Sequence, residues 1–195
     1  NMLSFCEIKA LLSQKCVGIA GAGGLGSNCA QNLVRCGIGK LIIADFDTVN
    51  ESNLNRQFYF KDQVGQKKVY ALRDNLNRIN NDSIVQIHDC VVNTDNIPLL
   101  YSTCDVVVEA FDSAESKHML IEYMCYNYPN IPLVSASGLA GFGSLDKIHV
   151  VESGNLFVCG DFESQVEFNN PPLGPKVSMV SAMQADIVLQ ILLKY

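Results

Sequence analysis

The chain has 195 residues, 48% of them hydrophobic, and 14 Lys and Arg against 20 Asp and Glu give a net charge of -6. An acidic balance with no basic run speaks against a nucleic-acid partner. The longest apolar stretches fall short of the roughly eighteen residues of a membrane span, and no secretory signal opens the chain, so no membrane partner is expected.

The first element is "CVGIAGA" (16–22), a continuous apolar run that predicts a strand covered on both faces. Glycines follow and open a helix from about Ser27 to Cys36; "GKLIIADFD" is the second strand. In "VGQKKVYALRDNLNRIN" apolar residues fall at 64, 69, 72, 76 and 79, which is helical spacing. "SIVQIHD" reads as a third strand, "CDVVVEAFD" as a fourth, "HMLIEYMCYNY" as the helix after it and "IPLVSASG" as a fifth strand. "KIHVVESGNLFVCGD" is a strand pair turning at Ser153-Gly154, "FESQVEFNNPPLGPK" is a loop, and "VSMVSAMQADIVLQILLKY" is an apolar amphipathic helix.

Strands alternating with helices in this order predict an α/β fold of the Rossmann-like, doubly wound kind. Its sheet is mostly parallel, with an antiparallel strand pair near the C-terminal part. This length and apolar content allow one sizeable core, so a single domain over 1–195 is expected. In such a sheet a ligand sits outside the carboxyl ends of the strands, where the order reverses. Those ends carry Gly21 to Gly26, Asp45 to Asp47, and Glu109 to Asp112.

The segment Gly21-Ala22-Gly23-Gly24-Leu25-Gly26 lets the backbone turn tightly and approach phosphates, and the helix beyond offers free N–H groups to an anion. Asp45, about twenty residues on, can accept from both ribose hydroxyls, which fits NAD and ATP equally. The next segment, "DFDTVNESNLNRQFYFKDQVGQKKV", adds Asp47, Asn53, Arg56, Gln57 and Lys68. The glycine loop already holds a dinucleotide's pyrophosphate, so two further cations suit a triphosphate: guanidinium grips phosphate oxygens in pairs and ammonium acts as a point charge. A triphosphate also needs Mg2+, and Asp112 at the end of "DVVVEAFD" can supply its carboxylate. Taken alone, Lys68 reads as a lysine on a helix surface; the set argues otherwise.

"GAGGLGSNCAQNLVRCGIGKLIIADFDTVNESNLNRQ", "VGQKKV", "EAFDSAESK" and "MVSAMQADIVLQILL" resemble the ThiF/MoeB/HesA family of ubiquitin-activating-enzyme-like adenylyltransferases, from about Cys16 onward. The resemblance implies ATP-dependent attack of the C-terminal glycine carboxylate of a small ubiquitin-like sulfur carrier, ending in Gly-Gly, on the α-phosphate. By matching motif position it places Asp45 on the ribose, Arg56 and Lys68 on the phosphates, Asp112 on magnesium, and Asn53 and Gln57 in support. It also implies a homodimer with two nucleotide sites. The chain is most similar to the short ThiF-type branch, which ties it to ThiS-like carriers and thiamin thiazole synthesis. Activation of a molybdopterin-type carrier, a tRNA base or a peptide terminus is the alternative; an NAD-dependent oxidoreductase or an inactive dimer scaffold fits less well.

Three features depart from the family pattern. The eight cysteines contain no C-x-x-C pair, so the two pairs that hold zinc in many relatives are missing and no zinc is expected. The loop before the last helix has no cysteine, leaving Cys159 as the nearest nucleophile candidate, a weak one. The opening "NMLSFCEIKALLSQK" lacks the arginine that long relatives send into the partner's site. Most cysteines lie in apolar runs and read as free core residues, which implies a reducing, cytoplasmic compartment. His88, His118 and His149 show no metal spacing, and Tyr123, Tyr126 and Tyr128 read as packing or dimer contacts.

Overall fold

Alternation along the strands decides which face of the sheet each side chain covers. In the computed structural model, which describes residues 3–194, seven strands form one sheet. They are β1 (Cys16–Ala20), β2 (Lys40–Asp45), β3 (Ile84–Asp89), β4 (Val106–Glu109), β5 (Leu133–Ala136), β6 (His149–Ser153) and β7 (Leu156–Gly160). Their order is β3-β2-β1-β4-β5-β7-β6, parallel throughout except for the β6–β7 hairpin. Val17, Ile19, Leu41, Ile43, Val106 and Val108 point into one hydrophobic cluster. Ala20, Ile42, Ala44 and Val107 point into the other. Both faces are therefore dry, which is why these strands read as unbroken apolar runs.

The helices are α1 (Phe5–Leu12), α2 (Gly24–Cys36), α3 (Lys68–Ile79), α4 (Ile97–Tyr101), α5 (Ala114–Asn127) and α6 (Gly174–Leu193). Residues of α2, α3 and α6 fill the first cluster, and α4 and α5 contribute to the second. Gly18, in mid-strand, is a packing requirement: a Cβ there would lie 2.6 Å from the Tyr101 ring.

Four expectations change. The helix expected from Ser27 begins at Gly24, and the one expected from Val64 begins at Lys68, leaving Val64 exposed. By length and composition α6 is apolar enough to cross a membrane; here it is a core helix, with Val177, Val180, Ala185 and Val188 buried in the first cluster. Of the eight cysteines, three (Cys29, Cys104, Cys159) are buried and the others are half-buried or exposed.

Candidate active site

The strand order reverses between β1, which runs on into the glycine loop, and β4, which runs on into Ala110, Phe111 and Asp112. Gly21 adopts φ +99°, and a Cβ there would meet the Ala110 carbonyl at 2.7 Å, so only glycine lets the two carboxyl ends approach so closely. Gly26 packs α2 onto the loop, since its Cβ would lie 1.9 Å from the Gly21 carbonyl. Gly23, the N-cap of α2, faces open space apart from the Gln57 amide. No side chain caps α2 and no acid lies in its first turn, so the positive end of the helix faces the crevice uncompensated. Leu25 is buried in the first cluster and can offer only backbone to a ligand.

Asp45 closes β2 and fastens the loops on either side. Its Oδ2 accepts from the Ala22 N–H at 2.6 Å and its Oδ1 from the Asp47 N–H at 2.7 Å. Burial pushes its carboxyl above the usual carboxylate range, against the downward pull of those two N–H groups and of Lys68. Asp47 in turn accepts from Lys68 Nζ at 2.7 Å, and its carbonyl accepts the Lys68 N–H at 2.9 Å. Lys68 is therefore not a surface lysine: it is 5% exposed, at the first turn of α3, with its ammonium aimed into the site. An ammonium has three donors, so one ion pair leaves two for an incoming anion.

Arg56 is half-buried and, among the described residues, donates to two neutral groups, the Ser52 carbonyl at 3.2 Å and Asn55 Oδ1 at 2.8 Å. Its stem lies beside Gly24. Gln57 is buried, and its Oε1 has no hydrogen-bond partner among the described residues. A buried acceptor left open beside an open glycine is what a ligand hydroxyl or amine would satisfy. Asn53 Oδ1 accepts the Asn50 N–H at 3.0 Å, which shapes the segment that carries Arg56 and Gln57, and its Nδ2 makes no hydrogen bond among the described residues. Asp112 is exposed two residues beyond Ala110, with no hydrogen bond to its side chain among the described residues. Contacts thus gather the glycine loop, Asp45, Asp47, Arg56, Gln57 and Lys68. Asp112 joins them only through its neighbours Ala110 and Phe111.

Several positioning residues escaped the sequence reading. Tyr59 donates from its hydroxyl to the Ala22 carbonyl at 2.7 Å. Ser27 Oγ donates to the Gly23 carbonyl and accepts the Phe58 N–H, while Asn28 Nδ2 donates to the carbonyls of Gly24 and Arg56. The available signal is a pair of polar residues, Ser27 and Asn28, in the first two turns of α2, which are buried. Behind Asp112, the fully buried Glu109 accepts from Lys117 Nζ, from Ser135 Oγ at 2.6 Å and from the Phe111 N–H at 2.8 Å, holding the turn that presents Asp112.

Among the described residues no three His, Cys, Asp or Glu side chains come together as a metal site. An ion at Asp112 would therefore complete its shell with phosphate and water oxygens, as Mg2+ commonly does. Cys159 is fully buried in β7, and burial pushes its thiol up to about 12, which leaves it protonated and inaccessible at neutral pH.

The chain is similar to known proteins in both sequence and fold. The chain is 34% identical over 190 residues to the adenylyltransferase and sulfurtransferase MOCS3 of Caenorhabditis briggsae, covering 94% of this chain and 47% of that protein. It is 37% identical over 125 residues to ubiquitin-like modifier-activating enzyme 5 of Caenorhabditis elegans, covering 58% of this chain and 30% of that one. It thus spans about half the length of the first and under a third of the second. The E. coli tRNA N6-threonylcarbamoyladenosine dehydratase TcdA, solved with ATP, superposes with a TM-score of 0.80 at 25% identity, covering 96% of this chain and 87% of that one. The ThiF family model matches residues 6–195, so the chain belongs to the ThiF family.

Proposed function

We propose that this chain activates the C-terminal carboxylate of a small ubiquitin-like carrier protein by adenylation. The observation that carries the reading is the pair of cations, Arg56 and Lys68, that a separate segment brings to the glycine loop and helix end. A dinucleotide pyrophosphate needs only the loop, whereas a triphosphate needs the added charge. The relatives' names support an adenylyltransferase, and the structure of TcdA with ATP supports the nucleotide.

In this reading the carrier's carboxylate oxygen attacks the α-phosphorus, and the bond to the β-phosphate breaks with its electrons leaving on pyrophosphate. The carboxylate is ionised at neutral pH, so no general base is needed; alignment and charge neutralisation remain. Asp45 orients the ribose, the glycine loop and α2 N-terminus hold the phosphates, and Arg56 and Lys68 offset their charge. Lys68 shares its ammonium between Asp47 and a phosphate oxygen. Magnesium, held by Asp112, would add to that neutralisation when bound.

The proposal is drawn at the level of carrier class. A ThiS-like sulfur carrier ending in Gly-Gly, with a role in thiamin thiazole synthesis, is its narrower form, and a molybdopterin-type carrier fits the same site. The near full-length likeness to TcdA favours a second reading, in which the activated group lies on a tRNA base. The net charge of -6 opposes it. The chain would act in the reducing cytoplasm that its cysteine usage implies. It would act as a homodimer, supported by Phe142 and Phe168, which are 88% and 99% exposed. Light scattering should report a dimer at micromolar concentration, and a clean monomer would contradict that part.

The test is ATP–pyrophosphate exchange driven by carriers ending in Gly-Gly. Exchange should depend on the free carboxylate and vanish when it is amidated; exchange with the amidated carrier would defeat the proposal. Arg56→Ala and Lys68→Ala should each weaken both ATP affinity and exchange, because they touch phosphate in ground and transition states alike. Calorimetry reporting unchanged affinity for both would remove them from the site. Cys159→Ser should leave exchange within a few-fold of the parent, and a loss of two orders of magnitude would restore a covalent role for that thiol.

A further inference from the structure

The cysteines divide by environment. Cys29 and Cys159 are fully buried, burial raises both thiols, and no reagent can reach them. Cys6 and Cys125 are exposed with no cysteine in contact. Cys16 and Cys104 are a different case: 88 positions apart in sequence, their Sγ atoms lie 4.0 Å apart.

Cys16 opens β1 and is half-buried; Cys104, just before β4, is 6% exposed. Both pack in the second hydrophobic cluster, so both side chains lie on one face of the sheet. Backbone bonds fix this juxtaposition. The Asp105 N–H donates to the Cys16 carbonyl at 2.8 Å, and the Cys16 N–H donates to Asp105 Oδ2 at 2.8 Å. Charges surround the accessible member: Lys15 Nζ lies 3.3 Å from Asp105 Oδ1, and Lys40 is the register partner of Cys16. The contact with Cys104 holds the Cys16 thiol below its ordinary value, while the same contact and burial push Cys104 up. Cys16 is thus the more accessible and the more readily ionised of the two, and Cys104 is sheltered and adjacent, the division of labour between an attacking and a resolving cysteine.

We propose that Cys16 and Cys104 form a thiol–disulfide exchange site for low-molecular-weight disulfides, at the amino-terminal end of the sheet and opposite the candidate active site. The Cys16 thiolate attacks one sulfur of the reagent, which forms a mixed disulfide and expels a thiolate. Cys104 Sγ then attacks Cys16 Sγ, closing the Cys16–Cys104 bond and expelling the second half of the reagent. The Cys104 proton goes to a departing thiolate, so two protein thiols are oxidised and one disulfide is reduced to two thiols. The two sulfurs lie 4.0 Å apart, and closure draws them together to the roughly 2.05 Å of a disulfide bond. This site stands independently of the adenylation reading.

The probe is oxidised glutathione, applied to the reduced full chain at mildly alkaline pH, with cysteine states read by peptide mapping. We expect a Cys16–Cys104 linked peptide free of glutathione, with glutathione retained on Cys6 and Cys125 as the internal sign that the reagent acted. Cys104→Ser should leave glutathione stably on Cys16, because the resolving thiol is gone. Two results would each overturn the proposal. One is Cys16 and Cys104 both remaining thiols while Cys6 and Cys125 carry glutathione. The other is an adduct on Cys16 that persists as long in the parent as in the Cys104→Ser variant.

Discussion

Asp112→Asn should lower carrier-dependent ATP–pyrophosphate exchange by at least about a hundredfold, or roughly 2.7 kcal/mol of barrier. The carboxylate is exposed, its side chain makes no hydrogen bond among the described residues, and the turn is held from behind by Glu109. Asparagine therefore leaves the packing intact and removes only charge. Charge on the phosphates grows as pyrophosphate departs, so a metal held by Asp112 helps the transition state more than the bound ground state. ATP affinity should fall less than exchange, because the glycine loop, Asp45, Arg56 and Lys68 remain. Calorimetry beside exchange kinetics separates the two, and exchange at the parent rate would remove Asp112 from the metal role.

Lys176→Met should be the most damaging change to stability. Lys176, in the first turn of α6, and Asp161, just past β7, are each 4% exposed in their side chains and pair at 2.6 Å. The ammonium also donates to the Ala140 carbonyl at 2.9 Å. Burial alone would raise the Asp161 carboxyl. The Lys176 ammonium and the N–H groups of Ser164 and Glu163 instead carry it well below the usual carboxylate range. Removing one partner of a buried pair strands the other charge, which costs about 3–5 kcal/mol. Because the folded value is depressed, this stabilisation is full above the unfolded value near about 4 and is lost as pH falls through the folded one. The variant should therefore show both a lower unfolding midpoint in urea and a flatter dependence on acid. Adding Asp161→Asn should recover part of the loss. A variant within about 0.5 kcal/mol of the parent would show that the pair is not a structural anchor.

That loss should also reach the nucleotide. The segment pinned by Asp161 leads to Pro172 and Gly174, which lie against Asn55 beside Arg56. Loosening it removes one wall from the loop that presents the guanidinium, so ATP affinity should fall with stability.

The strands were legible because burial on both faces leaves an unbroken apolar signature, as in β1 and β4. The glycine loop was legible because its constraint is local. Other features depended on contacts that no local pattern carries. Lys68 taken alone reads as a surface lysine, and only the set of motif residues around it argues otherwise, because its ion-pair partner Asp47 lies 21 positions earlier in the sequence. The start of α2 was placed three residues late because Gly24 and Gly26 are poor helix formers; packing overrides that, with Gly26 seated on the Gly21 carbonyl. The short α4 has Pro98 in its first turn and too few residues to show a period. Tyr59, Ser27 and Asn28 carry no motif, since each acts through a backbone group of another segment. The last helix, α6, reads as apolar in the sequence, but polar residues such as Ser181 and Gln184, both of which turn inward, break its apolar runs and keep each short of a membrane span.

The central claim is that a carrier carboxylate oxygen attacks the α-phosphate of ATP. A carrier labelled with heavy oxygen in its C-terminal carboxylate tests it directly, by incubation with the enzyme, ATP and magnesium followed by hydroxylamine to capture the acyl group. Hydroxylamine attacks the carbonyl carbon, so the bridging oxygen leaves with the nucleotide. AMP should carry one labelled oxygen and the carrier should become a hydroxamate, with both dependent on Asp112. Unlabelled AMP, or label appearing instead in inorganic phosphate alongside ADP, would contradict it.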